Sequence, residues 1–273
     1  YSVNDGINAR TAGTGNVNVG TSGNHVVGNI TSTGNSTWDY GITARITNAT
    51  SNANVNVYVG SEGNLTTISS HGDAISAINA GLGGVNVDTY SVTLKTSNGD
   101  GIRAGDTNSL STGDVTVTTH TTGATIEAPF RVSVDPGDGI HAYTFGSGNV
   151  TVNNGDQIGT PGGAGNYVGL HGIFARDYNA SASGNVTVHS TGNIYSYNDG
   201  INARTVGHGN VDVGTSGNRV SGNIHSYGNS TWDYGITARI TNTGSSAHVN
   251  VYTGNGTITS YGDGISAIND GNG

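Results

Sequence analysis

The sequence predicts an all-β protein, a right-handed parallel β-helix of about nine coils with three short strands in each coil. Two features of the sequence lead to this fold. The phrase Gly-Ile-x-Ala, or a close variant, recurs nine times along the 273 residues, at intervals of 27 to 38 residues. Most copies are followed by Val-x-Val and then by a third short apolar segment, so each unit alternates apolar and polar residues with the period of a β-strand.

The first segment of each unit holds an anchor isoleucine and an alanine two residues later, as in Gly6-Ile7-Asn8-Ala9. Side chains at i and i+2 of a strand face the same side. Ile7 and Ala9 are therefore expected to point inward, and Asn8 and Arg10 outward. The anchor isoleucines are expected to form one buried column, which comprises Ile7, Ile42, Ile75, Ile102, Ile140, Ile173, Ile201, Ile236 and Ile265.

The second and third segments supply the other two strands of each unit. The valines expected in a second buried column are Val17, Val55, Val115, Val150, Val186, Val211 and Val249. Strands this short bury too little surface alone, but stacked coils combine them into three long parallel sheets. Hexapeptide coils of the left-handed type are shorter than these repeats, and a propeller or sandwich would need longer strands with hairpin turns.

A larger repeat lies above the coils. Residues 1–60 align with 195–254 without gaps, and 47 of the 60 positions are identical. The sequence is thus interpreted as a single solenoid over 1–273, with a six-coil superrepeat at 1–194 and the start of a second copy at 195–273. Because the repeat pattern continues to both ends, we expect the 273 residues to be a fragment of a longer array.

Composition narrows the classes of function. Nine Lys and Arg residues against 18 Asp and Glu give a net charge of −9, which argues against nucleic acid as a partner. The absence of Cys excludes disulfides and thiolate metal sites. No apolar run approaches the roughly 20 residues of a membrane-spanning helix.

These Gly-Ile-x-Ala and Gly-Asn-Val-x-Val units, with no Cys and a single Lys, resemble the passenger region of Gram-negative autotransporters. The resemblance implies an exported β-helix, type V secretion, and a location outside the cell or on its surface. It also implies a C-terminal outer-membrane barrel, outside these residues, as the one link to a membrane.

The expected function is that of an extracellular, non-enzymatic surface or fibre protein. An adhesive passenger is favoured, binding a host cell-surface or matrix protein, a glycan, or other copies of itself. Repetition supports this interpretation, because linked weak sites gain avidity. The alternatives are a purely structural rod, a secreted factor that engages a host receptor, and a pectin-lyase-like enzyme. The enzyme is less favoured, since it would need Lys or Arg beside clustered Asp in one cleft.

Two sets of residues are candidate ligand contacts. The segment Asn35–Tyr40 returns at Asn229–Tyr234, and its aromatic residues are suited either to stacking on a sugar ring or to packing over a bend. Multivalent binding is expected to use these outer loops rather than a cleft. The candidate residues are the aromatic residues Trp38, Tyr40, Trp232 and Tyr234 and the outward arginines Arg10, Arg45, Arg176, Arg204 and Arg239, which suit either acidic glycans or surface ion pairs.

Aspartate precedes most anchors. A stacked column of carboxylates could bind calcium or cleave glycosides, but Asp-Gly also suits a turn, since Asp bonds to its own backbone and Gly takes a positive φ. The turn interpretation is favoured, so no catalytic residue, cofactor or metal is predicted. The aspartates in question are Asp5, Asp73, Asp100, Asp138, Asp199 and Asp263, with Asp39 and Asp233 one position earlier.

Overall fold

The protein is a parallel β-helix. A computed structural model describes residues 1–120, 123–128, 137–162 and 166–273, and its strands form three parallel sheets. Each full coil contributes one strand to each sheet, and a ninth coil contributes only to the first, so the predicted fold class is confirmed. Within the described residues, no helix is long and apolar enough to cross a membrane.

The first sheet consists of β1 (Ile7–Thr11), β4 (Ile42–Ile46), β7 (Ile75–Asn79), β10 (Ile102–Asp106), β13 (Ile140–Thr144), β16 (Ile173–Asp177), β19 (Ile201–Thr205), β22 (Ile236–Ile240) and β25 (Ile265–Asn269). The second consists of β2 (Val17–Val19), β5 (Val55–Gly60), β8 (Val85–Tyr90), β11 (Val115–His120), β14 (Val150–Asn154), β17 (Val186–Ser190), β20 (Val211–Val213) and β23 (Val249–Val251). The third consists of β3 (Ile30–Thr31), β6 (Thr66–Ser70), β9 (Val92–Thr96), β12 (Thr125–Glu127), β15 (Gln157–Ile158), β18 (Ile194–Ser196), β21 (Ile224–Ser226) and β24 (Ile258–Thr259).

The anchor isoleucines stack as predicted, since Ile7 pairs with Ile42 and the same register continues to Ile265. Those of coils 2 to 8 are fully buried. The prediction is wrong at the two ends. Ile7 is half-buried and Ile265 is 43 % exposed, because β1 and β25 are the edge strands of their sheet and have a neighbour on one side only.

The valine column is also present, and it contains one member that the sequence interpretation omitted. Val85 pairs with Val55 and with Val115, so coil 3 continues the column. Val249, in the end strand β23 of the second sheet, is only half-buried. A narrow interior of valine, isoleucine and alanine explains how a chain with 33 % hydrophobic residues encloses a continuous core.

Asp and Asn side chains join successive coils at the corners. The Asp100 N–H donates to Asp73 Oδ1 at 2.9 Å, and the Asn185 N–H donates to Asn149 Oδ1 at 2.9 Å. The expectation of a bond to the local backbone is therefore wrong for five of these aspartates, which bond to the next coil, and holds for Asp39 and Asp233. The acceptors are Asp5, Asp73, Asp100, Asp138 and Asp199 before the first sheet, Asn16, Asn54, Asp114, Asn149, Asn185 and Asn210 before the second, and Asn29, Asn193 and Asn223 before the third.

The glycines before the anchor isoleucines of coils 1, 2 and 4 to 8 have a steric role. None of these glycines, all of which lie in the described residues, has the positive φ that was expected. At Gly101, a Cβ atom would lie 2.2 Å from Cγ2 of Ile126 and 2.6 Å from the carbonyl oxygen of Gly139. Glycine is required here because the third strand of the coil approaches the backbone closely.

Candidate binding cleft

The loop that carries Trp38 is held by local hydrogen bonds. Asp39 Oδ2 accepts from the Ser36 N–H at 2.6 Å, which turns the chain and leaves Trp38 72 % exposed. Tyr40 meets the Trp38 ring edge-on, with centroids 6.4 Å apart. An exposed aromatic pair is thus fixed on the outside of coil 2.

The second copy of this loop has the same geometry. Trp232 is 75 % exposed, its ring centroid lies 6.4 Å from that of Tyr234, and Asp233 makes the corresponding bond to the Ser230 N–H. Only two strands of the first sheet, β22 and β25, follow this loop within residues 195–273, whereas eight follow the loop of Trp38. The two loops therefore have equivalent backbones and different neighbours.

A cleft with a volume of about 520 Å³ lies beside Trp38, on the outer face of the first sheet. We call it the basic cleft. Arg45 and Arg103 form no ion pair within 4.0 Å among the described residues, whereas Arg10 has one at 3.4 Å with Asp5. The side chains that define the basic cleft are Arg10, Arg45, Arg103, Trp38, Tyr40 and Tyr143.

The predicted arginine column is real but interrupted. Arg10 pairs with Arg45, and Arg176 pairs with Arg204, which pairs with Arg239. The intervening coils have Ile78, Gly105 and Tyr143 at this position. Two of the predicted arginines therefore line the basic cleft, while the other three lie beyond it.

The farther arginines have local partners. The Arg176 guanidinium lies 4.3 Å from the ring centroid of Tyr178, and Arg239 Nη2 is 2.7 Å from Asp270 Oδ2. Arg204 has a longer contact of 4.0 Å to Asp199. These contacts are typical of a solvated, self-paired surface.

Next to the basic cleft is a second depression of about 400 Å³, which we call the acidic cleft. Trp38, Tyr40 and Arg103 line both depressions. The aspartates and histidines that line the acidic cleft are Asp73, Asp100, Asp138, His141 and His171. None of these five residues is predicted as a site, since the sequence favours a turn role for the aspartates and its nine histidines show no ligand spacing such as His-x-x-x-His.

The sequence does contain a signal for the acidic cleft. In coil 1, Asp5 Oδ2 accepts from Asn8 Nδ2 at 2.7 Å, and in coil 7 Asp199 Oδ2 accepts from Asn202 Nδ2 at 2.7 Å. In coils 3 to 5 another residue replaces this asparagine, so Asp73, Asp100 and Asp138 have no side-chain amide at this position to donate to Oδ2. The residues at the asparagine position there are Ser76, Arg103 and His141.

Hydrogen bonds orient the carboxylates of the acidic cleft. Asp100 Oδ1 accepts from the Asp138 N–H at 2.8 Å, and Asp138 Oδ1 lies 2.9 Å from both the backbone N and Nδ1 of His171. His141 Nδ1 is 3.3 Å from Asp100 Oδ2 and 3.6 Å from Asp138 Oδ2. One oxygen of each carboxylate is thus tied to the next coil, and the other is directed to His141.

Burial and neighbouring charges shift the pKa values of Asp73 and Asp138 in opposite directions. Burial, with the negative charge of Asp100, raises the pKa of Asp73 to about 7. Burial opposes ionisation of Asp138 as well, but the hydrogen bond and charge of His171 outweigh it and lower the pKa of Asp138. The net pKa of His171 is raised. Burial alone would lower it, but the hydrogen bond and the negative charge of Asp138 outweigh burial. Near neutral pH, Asp73 is therefore partly protonated while Asp138 is ionised.

The chain matches no family model, no curated protein and no solved structure.

Proposed function

We propose that the protein is an extracellular, non-enzymatic surface protein, an adhesive autotransporter passenger, and that it binds acidic glycans in the basic cleft. The observation that carries the proposal is the convergence of arginines and exposed aromatic rings on one cleft. Arg45 and Arg103 face that cleft without an ion pair in the described part of the chain, beside Trp38 and Tyr40.

Each side-chain type matches a part of such a ligand. A guanidinium binds a carboxylate or a sulfate through two parallel hydrogen bonds, and an aromatic ring offers an apolar face to the C–H side of a sugar. The net charge of −9 does not oppose this, because screening limits exposed charges to a range of about 8 to 10 Å in physiological salt. Within that range the basic cleft presents Arg10, Arg45 and Arg103, and of the three only Arg45 has no carboxylate beside it in the described residues.

Multivalent attachment follows from the larger repeat. Trp232 and Arg239 repeat Trp38 and Arg45 at the offset of 194 residues. Six coils separate the two loops, which at about 4.8 Å per coil is roughly 29 Å along the helix axis. A long polysaccharide can span this distance, and two linked weak contacts bind more tightly than either alone.

The test compares three immobilised polymers, namely heparin as a sulfated chain, polygalacturonate as a uronate chain, and dextran as a neutral chain. We expect binding to at least one charged polymer, no binding to dextran, and weaker binding when salt rises from about 50 to about 300 mM. Trp38→Ala is expected to weaken binding about tenfold, as loss of a central aromatic contact does. Trp232→Ala is the matched control, because its loop has the same geometry without a counterpart of Arg103 within residues 195–273.

Trp232→Ala should change the affinity by less than about twofold for a short oligosaccharide, which cannot span both loops. Failure to bind either charged polymer would contradict the proposal. So would an equal loss from both tryptophan substitutions with a short ligand, since the basic cleft would then contribute nothing.

A second candidate is a carbohydrate-active enzyme that uses the acidic cleft. Arg103 lies beside Asp73 and Asp100 in one cleft, which is the arrangement such an enzyme would need. The pKa values of Asp73 and Asp138 are also displaced in opposite directions, as in acid and base pairs. Release of reducing ends or unsaturated uronates from the same polymers, abolished by Asp73→Asn, would favour the enzyme; we expect no release.

A further inference from the structure

We propose that Asp100, Asp138 and His141 bind a divalent transition-metal ion, with Zn²⁺ preferred, in the acidic cleft. The proposal goes beyond glycan binding and does not depend on it. Each of the three residues offers one ligand atom, and these atoms lie within 4.8 Å of one another. Asp100 comes from coil 4, and Asp138 and His141 come from coil 5, so the stacking of the coils brings the set together.

The separations suit a shared cation better than a direct ion pair. His141 Nδ1 lies 3.3 Å from Asp100 Oδ2 and 3.6 Å from Asp138 Oδ2. A charge-assisted N–H···O bond is shorter, about 2.7 to 2.9 Å. Neighbouring ligands of a tetrahedral Zn²⁺, with bonds of about 2.0 to 2.1 Å, are about 3.3 to 3.4 Å apart.

The supporting hydrogen bonds are those of a pre-organised metal site. The Asp138 N–H holds Asp100 Oδ1, and His171 holds Asp138 Oδ1 through its backbone and its ring. Outer groups of this kind orient the ligating oxygens and increase metal affinity. Oδ2 of each aspartate is thereby left directed to His141.

A neighbouring carboxylate also lacks a partner. Asp73 lines the acidic cleft and is only 5 % exposed; Ser76 favours its ionised form, but Oδ2 makes no hydrogen bond. The equivalent oxygens in coils 1 and 7 accept from Asn8 and Asn202. Buried carboxylate oxygens are normally satisfied, and a cation in this cleft would place positive charge beside this one.

The ligand types select the ion. Calcium takes six to eight oxygen ligands, whereas Zn²⁺ accepts imidazole nitrogen and carboxylate oxygen at low coordination number. One histidine with two carboxylates leaves a fourth position for water or for a ligand oxygen. Arg103 and His171 are the cationic groups that face the cleft, and the three carboxylates offset them.

The test is calorimetric titration of the chelator-treated protein with Zn²⁺, and separately with Ca²⁺, near pH 7.5. We expect one Zn²⁺ per chain and no comparable heat from Ca²⁺. Co²⁺ should bind in the same place and give the visible absorption of a four-coordinate ion, which reports the ligand geometry directly. His141→Gln and Asp100→Asn should each weaken Zn²⁺ binding about tenfold or more.

Asp100→Asn keeps a side-chain oxygen for the Asp138 N–H, so this variant should fold, and thermal melting without metal checks that it does. Asp199→Asn is the matched control, since Asp199 is the equivalent aspartate in coil 7 and has its Asn202 partner. It should bind Zn²⁺ as the unchanged protein does. Equal Zn²⁺ affinity in the unchanged protein and His141→Gln, absence of Zn²⁺ binding, or equally tight Ca²⁺ binding would each overturn the proposal.

Discussion

Ala74 and Leu94 lie in the same coil, and each is the exception at its position. In the other seven coils that have a third strand, glycine occupies the place of Ala74 and isoleucine the place of Leu94. In those coils, a Cβ on the glycine would come within 2.1 to 2.4 Å of the isoleucine Cγ2. Leucine carries no methyl group on Cβ, so coil 3 has room for the alanine.

This complementarity predicts the effect of adding one methyl group in coil 4. Gly101→Ala should destabilise the protein by about 1 to 3 kcal/mol, because the new Cβ meets Ile126 Cγ2 and the Gly139 carbonyl. Adding Ile126→Leu should recover a large part of that loss by recreating the pair of coil 3. Urea unfolding of the two single variants and the double variant measures the coupling between the sites.

Gly15→Ala is the control for the glycine substitution, since a Cβ there has no heavy atom within 4 Å. It should leave the free energy of unfolding within about 0.5 kcal/mol of the original. Additive effects of Gly101→Ala and Ile126→Leu would contradict the steric explanation.

The corner ladders predict a second set of effects. Asn185→Ala removes the acceptor of the Asn210 N–H, which lies 2.8 Å from Asn185 Oδ1 at a half-buried corner. We expect a loss of about 1 kcal/mol in the free energy of unfolding, as for other hydrogen bonds to a backbone group. Asn185→Asp should be close to neutral, because Asp114 performs the same role two coils earlier in the same ladder.

Asn56→Ala provides the comparison for Asn185→Ala. Asn56 bonds to another side chain, that of Asn18, on the exposed face of the second sheet. Its loss should cost less than about 0.5 kcal/mol. Equal destabilisation by the two alanine substitutions, measured in urea, would show that the corner bond to the backbone has no special importance.

The repeat pattern was sufficient to predict the coils, because each anchor isoleucine had to face a common interior. Ile102, Ile140 and Ile173 are adjacent and buried for that reason. The role of the corner residues was harder to predict from the sequence. A turn explanation accounts for Asp100 within its own coil, whereas its actual partner is the Asp138 N–H, 38 residues later.

The clefts were missed for a related reason. The expectation that contacts would be made by the outer loops alone placed Trp38 correctly on an exposed loop but not beside Arg103, 65 residues away in the sequence. The register between successive coils decides which side chains come into contact. Because the loops differ in length from coil to coil, that register is hard to predict from the sequence. The replacement of asparagine by His141 in the anchor segment was the visible signal of a departure from the structural pattern.

Stability should depend on pH through Asp106, which is fully buried at the end of β10. Burial raises the pKa of Asp106 to about 6, against 3.8 for the free group. Between these pH values the folded protein binds a proton at Asp106 that the unfolded chain lacks. The contribution of Asp106 to stability is therefore greatest below about pH 4 and is lost as the pH rises to about 6. Asp106→Asn should remove this loss and raise the free energy of unfolding at pH 8 by about 1 to 3 kcal/mol.

Coil 3 shows that asparagine fits there. Asn79 pairs with Asp106 in the sheet, and Asn79 Oδ1 accepts the Gly81 N–H at 2.8 Å as Asp106 Oδ1 accepts the Asn108 N–H at 2.9 Å. Asp212→Asn is the control, since the corresponding residue of the first copy is an asparagine on the outer face of the second sheet. Urea unfolding at pH 4 and pH 8 should show a smaller loss of stability with rising pH for Asp106→Asn than for the unchanged protein. The same loss in Asp106→Asn and Asp212→Asn would contradict the assignment.

The arginines predict which charges contribute to glycan binding. Arg103→Gln should weaken binding of a sulfated oligosaccharide about tenfold and reduce its salt dependence, because Arg103 faces the basic cleft without an ion pair within 4.0 Å in the described residues. Arg239→Gln should have little effect, since Arg239 is already paired with Asp270 at 2.7 Å. Measuring the affinity of each variant at two salt concentrations separates the effects of the two substitutions. An equal loss of affinity from both would mean that the general surface charge of the rod attracts the ligand, rather than the cleft beside Trp38.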